Sequence, residues 1–169
     1  SDLDNAIFLL DTSSSSNEEV PGTGQSKVQV MKSELKKRNE YFPDIGYNMG
    51  IYTYTDWQDN YPVQPYDRAK VAAALDQVRD KGGGPTPLSR GLAKLEDILK
   101  PLSGRTAVFV FWDGGYTGNN PADMARKLAK SHDVCFYVIS SAKPKRDDEL
   151  VKDVASLNAC SRVIPITDF

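Results

Sequence analysis

The sequence predicts a doubly wound α/β fold, a mostly parallel sheet with one antiparallel edge strand and helices on both faces. Three observations predict it. Short apolar runs, AIFLL at 6–10, TAVFVFW at 106–112 and VCFYVIS at 134–140, read as strands buried on both sides. Amphipathic stretches of about ten to fifteen residues separate the strands, the length of right-handed βαβ crossovers. The first of these runs ends in an aspartate followed by serines, and the second in Asp113-Gly114-Gly115. The carboxyl edge of such a sheet is where ligands bind.

Each element follows in order. After the first strand and its serine loop, residues 24–40 place Val28, Met31 and Leu35 at helical spacing, with Lys32, Lys36, Lys37 and Arg38 on a solvated basic face. Pro43 and Gly46 stop that helix. YNMGIYTYT at 47–55 is aromatic and β-branched, hence a strand. A short extended piece around Val63 carries two prolines, which suit an edge position. Asp67 caps a helix with Val71, Leu75 and Val78 inward, and KGGGPTPLSRG breaks it. Pro87 fits a first helical turn, and Leu88, Leu92, Leu95 and Leu99 form the next apolar stripe. Asn120-Pro121 starts a helix with Met124 and Leu128 inward. Residues 147–157 read as the last helix and RVIPI, 162–166, as the last strand.

Composition narrows the function. At 169 residues, 40% hydrophobic and 26% charged, the chain is one domain of ordinary size. A net charge of −2 argues against nucleic-acid binding, and no apolar run is long enough to cross a bilayer. The chain starts Ser-Asp-Leu, so residues 1–169 are expected to be a single domain of a longer protein with neighbouring domains. Cys135 and Cys160 are either two buried thiols or one disulfide tying the last two strands; the latter implies an oxidising compartment. His132, the sole histidine, sits before a strand at the edge opposite the polar clusters, so it cannot complete a Ser-His-Asp triad there.

Three polar clusters fall at or beside the carboxyl edge: 11–15, 82–86 and 113–117. Asp11, Ser13 and Ser15 alternate, so an extended loop aims all three the same way. With Thr86 and Asp113 they make an all-oxygen set suited to a hard divalent cation. Asp11-x-Ser13-x-Ser15, then Gly83-Gly84-x-Thr86, then an apolar strand ending in Asp113-Gly114, resembles the von Willebrand factor type A domain along essentially the whole chain. The resemblance implies a metal-ion-dependent adhesion site (MIDAS). Ser13 and Ser15 would ligate Mg²⁺ (or Mn²⁺ or Ca²⁺) directly, and Thr86 directly or through water. Asp11 and Asp113 would hold coordinated waters. The open position would take an Asp or Glu carboxylate from a protein partner, without catalysis. A bacterial envelope location, periplasmic or cell-surface, is implied by the same resemblance. Trp112 departs from the small or hydroxyl residue that the family commonly has before this aspartate, and Glu18 and Glu19 either pack elsewhere or occupy the open position as built-in competitors.

Other readings stay beside it. The glycine-rich loop lacks the Lys-Ser/Thr ending of a P-loop. Asp11 after an apolar strand also fits an Mg²⁺-dependent phosphatase of the haloacid dehalogenase type, though Ser13 stands where that group has a second aspartate. A structural envelope domain with a vestigial site is the third reading. Among aromatics, Tyr116 is the favoured ligand contact, with Trp57 and Tyr61 as exposed anchors.

Overall fold

The computed structural model describes residues 3–141, 151–154 and 156–169. Six strands form one sheet in the order β3-β2-β1-β4-β5-β6. They are β1 (Asn5–Leu10), β2 (Asn48–Thr53), β3 (Gln58–Pro65), β4 (Thr106–Phe111), β5 (Val134–Ser140) and β6 (Arg162–Pro165). All neighbours pair in parallel except β3, which runs antiparallel to β2 at the edge. β1 lies between β2 and β4, so the chain reverses direction across the sheet there and the loops after β1 and β4 meet at a switch point.

The strands are buried on both faces because helices cover both. Helix α1 (Lys27–Asn39) and α2 (Arg68–Asp76) pack Val28, Met31, Leu35, Val71 and Leu75 against Phe8, Leu10, Met49 and Ile51. Helix α3 (Leu88–Leu99) and α4 (Pro121–Ser131) pack their leucines against Ile7, Leu9, Val108, Val110, Phe136 and Val138. Leu88, Leu92, Leu95 and Leu99 are all buried, as their spacing predicts, and Met124 is partly buried beside Leu128.

Several boundaries differ from the sequence reading for local reasons. Helix α1 starts at Lys27 rather than residue 24, because Ser26 and Gln29 form a reciprocal capping box. Pro87 is the N-cap of α3 and not its first turn. β3 is longer than the piece expected around Val63: eight residues that tolerate Pro62 and Pro65 through irregular register against β2. Residues 151–154 are helical, with Val151 and Val154 buried. Residues 147–150 of the expected last helix lie outside the described residues. Ile166 leaves β6 for a 3-10 turn.

Cys135 and Cys160 form a disulfide, with Cα atoms 5.4 Å apart. It joins β5 to the turn two residues before β6, at the edge opposite the polar loops. His132 caps the end of α4 at that edge, its Nε2 3.4 Å from Glu96. No helix among the described residues is long and apolar enough to cross a membrane.

Candidate metal centre

The four consecutive serines after β1 divide by parity. Ser14 and Ser16 tie the loop down: Ser14 Oγ accepts from the Gly84 amide at 3.0 Å, and Ser16 Oγ donates to the Ser13 carbonyl at 2.6 Å. Ser13 and Ser15 face each other with hydroxyl oxygens 3.0 Å apart. Asp11 sits behind them, its Oδ1 accepting from the Ser13 amide at 2.8 Å.

The 82–86 loop is stitched onto this turn by main-chain bonds. The Ser14 amide donates to Gly84 O at 2.9 Å and the Gly83 amide to Thr12 O at 2.9 Å. Asn17 makes a reciprocal amide pair with Gly82, at 2.8 and 2.9 Å. Arg79 donates to both the Thr12 and Gly83 carbonyls at 2.7 Å. Such close contact explains the glycines. A Cβ on Gly82 would lie 2.0 Å from the Ser13 carbonyl oxygen, and Gly84 holds a left-handed φ of +96°. Thr86 is thereby carried to the same edge, and its carbonyl accepts from the Thr117 amide at 2.9 Å.

Asp113 reaches the site from the end of β4 but turns its carboxylate toward β5 and α1. Its Oδ1 accepts from the Ser141 amide at 2.7 Å, and its Oδ2 lies 2.6 Å from Lys27 Nζ. Trp112, fully buried, anchors this loop by donating from Nε1 to Gly115 O at 2.7 Å. Asp11, Lys27 and Asp113 line one small cavity of about 20 Å³, room for about one water.

The electrostatics follow from burial. Burial pushes the Asp11 carboxyl up; the Ser13 hydroxyl and amide pull it back, Asp113 pushes it up again and Lys27 lowers it, leaving it above the ordinary value. Burial drives the Lys27 ammonium down, but Asp113 and Glu18 more than reverse this and hold it raised. Tyr54, fully buried, donates to Phe111 O at 2.8 Å and is raised well above its ordinary value by burial, with Asp11 and Asp113 adding to it.

The sequence-predicted contacts divide. Tyr116 is 41% exposed on the loop after Asp113. Tyr61 is a correction: it is only 3% exposed, its ring in the core and its hydroxyl donating to Pro65 O, so it is no surface anchor. Trp57 is partly buried, stacked on Tyr52 at 5.1 Å, with its Nε1 donating to Asp59. Glu18 does not compete for the Ser13–Ser15 position; its carboxylate meets Lys27 at 2.9 Å, and Glu19 is exposed.

Lys27, Asn17, Arg79 and Ser141 are the residues that sequence reasoning missed. Lys27 had a signal, because a cation at the first position of a helix opposes the helix dipole and calls for a nearby carboxylate. The other three act through contacts between distant segments and leave no local pattern.

Among the described residues no group of three His, Cys, Asp or Glu side chains is placed to hold a metal ion. A cation here would therefore rest on hydroxyls, and their spacing fits one. Adjacent corners of an octahedron with metal–oxygen distances of about 2.1 Å lie about 3 Å apart. The Ser13 and Ser15 hydroxyls are 3.0 Å apart.

A doubly wound sheet with this oxygen-rich loop cluster at its switch point defines a Rossmann-like class of domain. Within that class, residues 5–169 match the model of the von Willebrand factor type A domain, and the chain belongs to that family. Domains of this family are generally non-catalytic modules that bind proteins. No curated protein sequence matches the chain. Solved structures share the fold. The conserved hypothetical protein BatB from Bacteroides thetaiotaomicron is 14% identical with a TM-score of 0.73, over 95% of this chain and 89% of that one. Proximal thread matrix protein 1 from the mussel byssus, with a zinc-occupied MIDAS motif, is 20% identical with a TM-score of 0.71, over 95% of this chain. This chain spans only 40% of the mussel protein's length. Manganese-loaded TRAP protein from Plasmodium vivax is 13% identical with a TM-score of 0.67, over 97% of this chain and 68% of that one.

Proposed function

We propose that the domain is a metal-dependent protein-binding module. Ser13 and Ser15 ligate a divalent cation, Mg²⁺ first and Mn²⁺ or Ca²⁺ as alternatives, with Thr86 beside them and Asp11 and Asp113 orienting bound waters. The observation that carries this reading is the 3.0 Å spacing of the Ser13 and Ser15 hydroxyls, which bond to each other while Ser14 and Ser16 tie the loop down. The cation supplies an open coordination position for an acidic group. The chain's own residues hold the hydroxyls in place, neutralise the ion's charge and shape the rim. A cleft of about 450 Å³ lined by Thr55, Pro85, Arg90, Thr117 and Asn119 gives a partner's flanking residues a place to lie. Tyr116 on the neighbouring loop is an exposed aromatic of the kind interfaces favour.

The metal-bound fold neighbours support the reading without naming a partner. The disulfide fits an oxidising compartment and so supports a periplasmic or cell-surface location. A phosphatase reading gains nothing: Ser13, not aspartate, faces the site two residues after Asp11.

Thermal melts with Mg²⁺, Mn²⁺, Ca²⁺ or a chelator test the proposal. A metal at 100 times its dissociation constant stabilises the folded state by about 2.7 kcal/mol. The wild type is expected to gain this and Asp11→Ala is not. An equal response in both proteins, or none in the wild type with acetate present as the acidic group, contradicts it.

A further inference from the structure

The lysine at the head of helix α1 carries an inference that rests on the metal-binding reading and deepens it. Lys27 Nζ lies 2.6 Å from Asp113 Oδ2 and 2.9 Å from Glu18 Oε1. Asp113 has further donors. Its Oδ1 accepts from the Ser141 amide at 2.7 Å and from Ser140 Oγ at 3.3 Å. The Ser141 hydroxyl, 3.1 Å from Oδ1 and 2.9 Å from Oδ2, gives its single proton to one of them. These donors match the roughly four lone-pair positions of a carboxylate. Asp113 so engaged has little acceptor capacity left for water carried by a cation at Ser13 and Ser15.

We propose that Lys27 is a positioning residue that competes with the divalent cation for Asp113. Its ammonium is an internal counter-ion that holds Asp113 toward β5 and α1 while no metal is bound. Binding of the cation frees an Asp113 lone pair, and the released ammonium keeps Glu18 as its partner. Glu18, with its side chain 65% exposed, can follow it outward. The serine pair fixes where the cation sits; Lys27 sets how tightly the site takes it. The domain thereby trades affinity for a metal-free state in which Asp113 is not left uncompensated beside Asp11.

Calorimetric titration with MnCl₂ tests this on the wild type, Lys27→Met, Lys27→Arg, Asp113→Asn and the Lys27→Met/Asp113→Asn double variant. Removing the ammonium is expected to tighten Mn²⁺ binding by about tenfold or more. Lys27→Arg, which keeps the charge, is expected to stay near the wild type. In the Asp113→Asn background Lys27→Met is expected to change nothing. A Mg²⁺ titration of the wild type, followed by the carbon chemical shift of the Asp113 carboxyl, reads the same release without any variant. Equal or weaker binding by Lys27→Met overturns the competition and leaves the metal site standing. Tighter binding that persists in the Asp113→Asn background overturns the positioning role, since the lysine then acts only as a nearby charge. If no protein in the series takes up Mn²⁺ at millimolar concentration, both this inference and the metal-binding reading fail.

Discussion

Helix α1 carries two lysine–aspartate pairs of the same length, and they do different things. Lys27 meets Asp113 and Lys36 meets Asp76, each at 2.6 Å. The first pair is mostly enclosed, with side chains 19% and 23% exposed; the second is open to water at 48% and 55%. Distance is therefore not what separates them. An exposed pair is screened and contributes little, whereas an enclosed one leaves a costly charge behind if either partner is lost. The first pair also joins three segments, the head of α1, the end of β4 and the end of β5, and the second joins only α1 to α2.

The 82–84 segment is stitched onto the serine loop beside the first pair, and breaking that frame is expected to have the largest effect. Gly82→Ala puts a Cβ against main-chain oxygen and is expected to cost about 3 kcal/mol or more in urea melts, because backbone on both sides has to move. Removing the distant disulfide with Cys135→Ser/Cys160→Ser is expected to cost about 3 kcal/mol as well, with metal affinity unchanged. That result would separate stability at one edge of the sheet from chemistry at the other. Lys27→Met in the metal-free protein is expected to lose about 1 kcal/mol, allowing for partial solvent screening, and to lose less once Mn²⁺ is added.

The exposed pair supplies the smallest effect and a pH test. Lys36 holds the Asp76 carboxyl below its ordinary value, first by hydrogen bonding and then by charge. A lowered carboxylate contributes stability above its unfolded pKa and loses it as pH falls through the folded value. Asp76→Asn is therefore expected to lower neutral melts slightly, to match the wild type once the carboxylate is protonated in acid, and so to flatten the acid limb of a stability–pH curve. High salt is expected to erase even that difference while the Lys27 pair persists.

Much of this architecture is written in local pattern. Apolar runs such as 106–112 and the leucine stripe of α3 mark their elements, because burial on two faces or one leaves a periodic trace. The Asp11, Ser13 and Ser15 alternation marks a turn that aims side chains together, and they do face one another. Direction of a side chain across segments is a different matter. Asp113 turns to Lys27 and Ser141 because of partners 86 and 28 positions away in the chain, 113 − 27 and 141 − 113, and no short motif encodes that. Tyr61 reads as a surface aromatic on an edge strand, yet the antiparallel pairing of β3 turns it beneath α2 into the core. The two cysteines left thiols and disulfide equally open, since only three-dimensional placement sets the separation of their Cα atoms.

The most direct measurement is anomalous diffraction from crystals soaked in MnCl₂. One Mn²⁺ is expected within about 2.2 Å of both the Ser13 and Ser15 hydroxyl oxygens, with Asp113 no longer closed onto Lys27. Manganese found only on surface carboxylates such as Glu19, with the serine pair bare and the Lys27–Asp113 contact intact, would contradict it.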